Sequence, residues 1–331
     1  MFVSTPRFSF NRSALKLVNN LIGDADRYVI SLEKLRCGAT LIDTGLAAAG
    51  GFRAGEIVSE ISQCGYGRAK ITPVQYENKV LPSVFVTNDL PAQSILGSQY
   101  AGWHLNFEGF RADASGPGRA LVKDSEDSFH NVLCEESDVA ILLLETDEKP
   151  RENVVLEIAE KCRVSPVNLF LIVFSITSIA GSIQACAKVV EAGLVRLAEI
   201  GLDPALVRYA WGYAPVISFL SNPDEVKERI KASIRFGGVA DYVVDSEDDH
   251  LGELVSKAHD SALRMLQEAK RLADKNPLYR DLLQESGADM LKIDPNVAAP
   301  ATVTLRSLKS GRSFSSGEID FAAVQRAIGI M

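Results

Sequence analysis

Histidine is scarce in this sequence. Four occur in 331 residues (His104, His130, His250 and His259), and none stands at a zinc spacing with a cysteine or another histidine. No protein-held metal is expected. The five cysteines, Cys37, Cys64, Cys134, Cys162 and Cys186, are odd in number, scattered, and form no C-x-x-C pair. That removes a disulfide framework and fits free thiols in a reducing compartment. The opening residues do not read as a signal peptide, so a cytoplasmic location is expected. Basic excess is missing too: 35 Lys and Arg against 43 Asp and Glu leave a net charge of -8. Nucleic-acid binding needs a basic face, so no nucleic-acid partner is expected, although a local pocket for an anion is not excluded.

The longest stretch without charge runs from Val164 to Ala187. Pro166, Asn168, Ser175, Thr177, Ser178, Gly181, Ser182 and Gln184 interrupt it, and its apolar part is far short of the ~20 residues of a spanning helix. It parses as a buried strand "NLFLIVFS", a loop of small polar residues and a helix, so no membrane partner is expected. Several catalytic signatures are absent as well. There is no Walker loop, "GYGRAK" lacks the third glycine of a dinucleotide fingerprint, and no G-x-S-x-G elbow occurs.

What is present is a globular composition, 47% hydrophobic and 24% charged, with strands and helices interspersed. "SALKLVNNLIGDADRYVISL" reads as a Ser-capped helix, "ATLIDTG" as a strand, and "AAAGGFRAGEIVSEIS" as a glycine-rich turn into a helix. "PSVFVTNDLPAQSILGSQYAGWHL" reads as a strand followed by a helix, "DVAILLLET" as a buried strand and "PRENVVLEIAEKCRV" as a helix. "NPDEVKERIKASIRFGG" and the charged segment after it read as mostly solvated helices, and "ATVTLRSLKSGRSFSSGEI" as a hairpin around Ser310-Gly311. The class is α/β (mixed α+β), with residues 1–331 as one unit of two α/β lobes.

Two stretches could carry chemistry. In "SIAGSIQACAKVVEAG" a helix after Ile183 places Gln184, Lys188, Glu191 and Glu199 on one side, opposite Ile, Ala, Cys, Val and Leu. That side is either an ordinary solvated face or a cleft wall in which Glu191 is an acid or base and Lys188 holds it or an anion. The loop "ITSIAGS" ahead of it would add free backbone N–H groups. "ASGPGRAL" makes a sharp turn with Arg119 at its exit, either a plain surface turn or a ligand loop.

The order of "LIDTGLAAAGGFRAGEIVSEI", "SILGSQYAGWHL", "ASGPGRAL", "DVAILLLE", "TSIAGSIQACAKVVEAGL", "GYAPV", "FGG", "LKIDPNVAAPA" and "SGRSFSSGEI" resembles the methenyltetrahydromethanopterin cyclohydrolase family over nearly the whole chain. "GSQYAGW" and "SGPGRA" look closer to its bacterial branch. The resemblance implies two α/β lobes with a substrate cleft between them, a homo-oligomer (a trimer in known members), and no metal or redox cofactor. It implies that water opens the cationic methenyl bridge of a tetrahydromethanopterin derivative to a formyl group, in one-carbon metabolism.

By the same resemblance Glu191 matches the catalytic glutamate, and Lys188 stands where the family has an arginine. Tyr100 stands where archaeal members have a lysine and bacterial members a tyrosine. Ser115, Gly116, Gly118, Arg119, Ser178, Ser182 and Gln184 would help bind the pterin and its arm, as would Arg229, which is kept. Ile230, Lys231 and Ala232 replace a Thr-Asn-Asp run of the family. The alternative is a divergent paralogue in the same cofactor system, including its biosynthesis, that binds a pterin-like ligand without cyclohydrolase activity.

Overall fold

A computed structural model describes residues 9–99, 103–122, 134–217, 221–259 and 299–329. Two six-stranded mixed sheets organise them. The first runs β1 (Ser31–Lys34), β2 (Thr40–Gly45), β8 (Leu169–Phe174), β7 (Ala140–Glu145), β6 (Phe110–Ser115) and β5 (Trp103–Phe107). Its centre, β2, β8 and β7, is parallel, and the flanking strands are antiparallel. The second runs β12 (Ser313–Gly317), β11 (Thr302–Ser307), β10 (Val239–Val244), β9 (Val207–Pro215), β4 (Lys79–Asn88) and β3 (Gly67–Tyr76).

The central strands of the first sheet are apolar without interruption because both faces are covered. Leu142, Leu144, Leu171 and Val173 pack toward helix α3 (Glu152–Lys161). Ile141, Leu143, Ile172 and Phe174 pack toward α1 (Phe10–Gly23) and α2 (Phe52–Ser62). Among the described residues, helices pack on one face of the second sheet. There Val84, Val86, Ala240, Tyr242, Val303 and Leu305 meet residues of α5 (Val189–Glu199), α6 (Pro223–Gly237) and α7 (Phe321–Ile328).

The sheets are not consecutive halves of the chain. After β2 and α2 the backbone leaves the first sheet for β3 and β4, returns for β5 to β8, and then completes the second sheet. Two buried carboxylates on α2 fasten the crossing. Glu56 Oε1 accepts from the backbone N–H of Ile71 at 2.8 Å, and Glu60 Oε1 from that of Ala69 at 3.3 Å. Both N–H groups belong to β3, which among the described residues is an edge strand. The edge is satisfied by side chains of the neighbouring half.

Three local expectations are corrected. The first helix starts at Phe10, capped by Ser9, whose hydroxyl accepts from Arg12 N–H at 3.2 Å, rather than at Ser13. The stretch ending "WHL" is strand β5, with Leu105 buried between exposed neighbours, rather than the end of a helix. The segment after Ser178 is two helices, α4 (Ile179–Cys186) and α5, rather than one. Among the described residues, no helix is long and apolar enough to cross a membrane.

Candidate active site

The break between α4 and α5 builds the site. Lys188 N–H turns back to the carbonyl of Ala185, three residues away, and Lys188 becomes the N-cap residue of α5. Its side chain is therefore released at a corner rather than along a helix face. Glu191 falls in the first turn of α5, where the helix dipole favours a negative charge. On the other side of the break α4 packs on α2, while α5 packs on β9 and β10, so the corner stands where the two halves meet.

A cleft of about 610 Å³ opens there. Ile176, Ala185, Ala192, Val195, Ile230 and Ile234 give it a broad apolar lining. Its charged residues are Lys188, Glu191, Arg196 and Glu199 from α5 and its cap, Lys227 and Lys231 from α6, and Asp113 and Glu145 from β6 and β7. Residues 227, 230, 231 and 234 share one side of α6 at the i, i+3, i+4, i+7 spacing of a helix face. Glu145 ends the parallel strand β7 and Ile176 follows the parallel strand β8, so the cleft lies outside the carboxyl ends of parallel strands, the usual place for a ligand in an α/β sheet.

Glu191 differs from the other acids. Its Oε2 is fully enclosed and has no hydrogen-bond partner among the described residues. Burial pushes its carboxyl above the usual carboxylate range, and the Lys188 ammonium offsets part of that rise. Lys188 and Glu191 form no ion pair within 4.0 Å, so the lysine acts through space. The remaining acids of the cleft are engaged. Lys227 Nζ lies 3.1 Å from Glu145 Oε1 and 3.6 Å from Asp113 Oδ2, Arg196 lies 3.3 Å from Glu199, and His104 Nδ1 lies 2.6 Å from Asp113 Oδ1. Burial works against the Lys227 ammonium, but Glu145 and Asp113 outweigh it and raise its pKa above the ordinary lysine value. A second cleft of about 350 Å³ adjoins the first, sharing Asp113, Glu145, Ile176 and Lys227.

Of the residues singled out in the sequence, the structure brings Lys188, Glu191 and Glu199 to this cleft, together with Ile230 and Lys231 of the altered run. Ser178 caps α4, accepting from Gly181 N–H at 3.0 Å and donating to the Ser175 carbonyl at 2.7 Å. Ser182 is buried and donates to the Ile176 carbonyl. Both organise the loop that carries Ile176. Gln184 is buried, its Nε2 has no partner among the described residues, and it is not part of the cleft lining.

Ser115 ends β6, and Gly116, Gly118 and Arg119 follow it in a buried turn and a short 3-10 helix (Pro117–Leu121), and none of the four lines either cleft. The glycines there have packing reasons. Gly116 has φ +97°, and a Cβ on Gly118 would stand 2.8 Å from Leu142 Cγ. Arg119 is buried with its guanidinium 5.6 Å from the centre of the Trp103 ring. Arg229 points to the other side of α6, paired with Glu225 at 2.7 Å. Tyr100 lies outside the described residues.

Lys227 was the residue to find. Its helix reads as solvated because it is rich in charge, yet the spacing of Lys227, Ile230, Lys231 and Ile234 marks one face. Among the described residues, no group of three His, Cys, Asp or Glu side chains is placed to hold a metal ion.

The family model described as cyclohydrolase (MCH) matches residues 9–328. The methenyltetrahydromethanopterin cyclohydrolase of Methanothermobacter marburgensis is 34% identical over 97% of this chain and 99% of its own length. That of Methanobrevibacter smithii is also 34% identical, over 97% of this chain and 99% of its own. The protein of the same name from the bacterium Methylobacillus flagellatus is 32% identical over 97% of this chain and 95% of its own. With a match spanning nearly every residue from the first helix to the last, the chain belongs to the cyclohydrolase (MCH) family.

Proposed function

We propose that this protein is a cyclohydrolase that opens the cationic methenyl bridge of a tetrahydromethanopterin-type pterin to the formyl derivative, with Glu191 as proton acceptor. The observation that carries the reading is the enclosed, unpartnered Oε2 of Glu191 in the cleft where the halves meet.

The chemistry asks little of the protein. The amidinium carbon of the bridge is already electrophilic, so positioning one water and accepting one proton suffice. The water oxygen bonds to that carbon as its proton passes to Glu191. The tetrahedral carbon then expels one ring nitrogen, its hydroxyl losing a proton as the formyl C=O forms while the nitrogen takes one up. One water is consumed and one proton is released overall, with no change in oxidation state, so the reading includes no electron carrier and no metal.

Glu191 suits both directions of transfer. Burial holds its pKa up, while Lys188 and the first turn of α5 favour the anion. As an anion it also stabilises the positive charge of the substrate by proximity. The apolar lining of Ile176, Val195, Ile230 and Ile234 suits a flat pterin ring.

The same reading includes a single two-lobed unit, a cytoplasmic location and a homo-oligomer. An aromatic patch on the second sheet supports the last of these. There Phe85 stacks on Trp211 at 5.8 Å, and Tyr209 is exposed.

The test is loss of methenyl-pterin absorbance with purified protein. Acceleration well above the spontaneous reaction supports the reading. Binding of the pterin with no acceleration overturns it and favours a non-hydrolytic pterin-binding role.

A further inference from the structure

A cleft that receives a cation must present the right carboxylate, and this one holds four: Asp113, Glu145, Glu191 and Glu199. Asp113 and Glu145 are directly opposed partners in the register of β6 and β7, an arrangement of like charges that is unfavourable by itself. Together they would be a stronger anionic centre than Glu191 alone. Lys227 reaches across from α6, in the other half, and places its ammonium against both, 3.1 Å from Glu145 and 3.6 Å from Asp113. Glu199 is paired with Arg196. Among the described residues, Glu191 is the cleft carboxylate with no cation within 4.0 Å.

We propose that Lys227 is a positioning residue that masks Glu145 and Asp113, so that a cationic substrate settles with its positive carbon at Glu191 rather than one subsite away. The inference rests on the cyclohydrolase reading for its substrate and concerns where in the cleft the cation lies. Lys227 stands in the wall shared by the two clefts, so unmasking the pair moves the favoured cation position toward the smaller cleft, away from Glu191. Binding there is nonproductive.

Nonproductive binding has a kinetic signature that a structural defect does not share: kcat and KM fall together and kcat/KM is preserved. Lys227→Met is expected to lower both by about tenfold, the scale of one charge-assisted contact. Lys227→Arg should behave as the parent, and Lys227→Met with Glu145→Gln should recover most of kcat. If Lys227→Met alone does not fold, Lys227→Met with Asp113→Asn leaves Glu145 unmasked and is expected to show the same paired fall. A lower kcat/KM at unchanged KM, or no change in either constant, overturns the proposal.

A binding arm decides the matter without turnover. In Glu191→Gln the preference for the cationic methenyl form over the neutral formyl form should largely disappear. Adding Lys227→Met should restore a preference of about tenfold through Glu145 and Asp113. No restored preference overturns the role of Lys227. A parent protein that binds the cation but does not hydrolyse it overturns the hydrolytic reading instead, and the binding arm still decides the role of Lys227.

Discussion

The Tyr242 hydroxyl donates to the backbone carbonyl of Val190 at 2.7 Å, one residue before Glu191. Strand β10 thereby holds the first turn of α5 from below. The approach is close because residue 193 has no side chain: a Cβ on Gly193 would lie 2.2 Å from the Tyr242 oxygen. Tyr242→Phe removes this added bond to a carbonyl that also serves the helix, and should cost about 0.5–1.5 kcal/mol of stability. It should also lower kcat more than it raises KM, because the seat of Glu191 loosens. Gly193→Ala should be worse, and combining the two should cost less than the sum, since the colliding oxygen is gone. Denaturant melts and steady-state kinetics on the three variants check this.

The pH–rate profile should carry an acid limb set by Glu191. Burial places that limb above the usual carboxylate range, and Lys188 offsets part of the rise. Lys188→Met should therefore move the limb to higher pH, while Lys188→Arg should leave it near its original position. Identical limbs in both variants would remove Lys188 from the electrostatics of the site.

Stability should follow pH in the opposite sense to an ordinary salt-bridged acid. The native pKa of Glu191 is raised, so the folded protein holds this proton more tightly than the unfolded chain. Its contribution is fully present below the ordinary glutamate value and is lost as pH rises through the raised one. Glu191→Gln should accordingly be more stable than the parent at neutral pH, with the difference vanishing in acid. Urea melts at the two ends of that window measure it.

Arg229 faces away from the cleft and pairs with Glu225 one turn earlier on the exposed side of α6. Arg229→Ala should leave kcat and KM unchanged and shift stability by no more than about 0.5 kcal/mol.

The strands were legible where burial on both faces writes a continuous apolar run, as in "AILLLE" and "LFLIVF". The pair Lys188 and Glu191 was legible too, because a spacing of three residues keeps a helix's cap residue near its first turn, a local relationship. The corner between α4 and α5 was not, since nothing between Cys186 and Val189 breaks a helix by propensity. It forms where the chain passes from packing on α2 to packing on β9 and β10. Asp113, Glu145 and Lys227 were hidden for a similar reason. Each is an ordinary surface charge in its own segment, and only the pairing of β6 with β7 and the placing of α6 bring them together. Conversely, the glycines of "SGPGR" carry a strong local signal, but it reports tight packing against β7 rather than contact with either cleft.

The central claim is that Glu191 moves the proton. Glu191→Gln keeps the shape and removes the charge, so turnover of the methenyl cation and equilibrium binding of the neutral pterin should be measured on the same folded variant. The expected result is a fall in kcat of ~10²–10⁴, the range for loss of a positioned general base, with neutral-pterin affinity nearly unchanged. Parental turnover in Glu191→Gln would contradict it and return Glu191 to the role of an ordinary helix-face carboxylate.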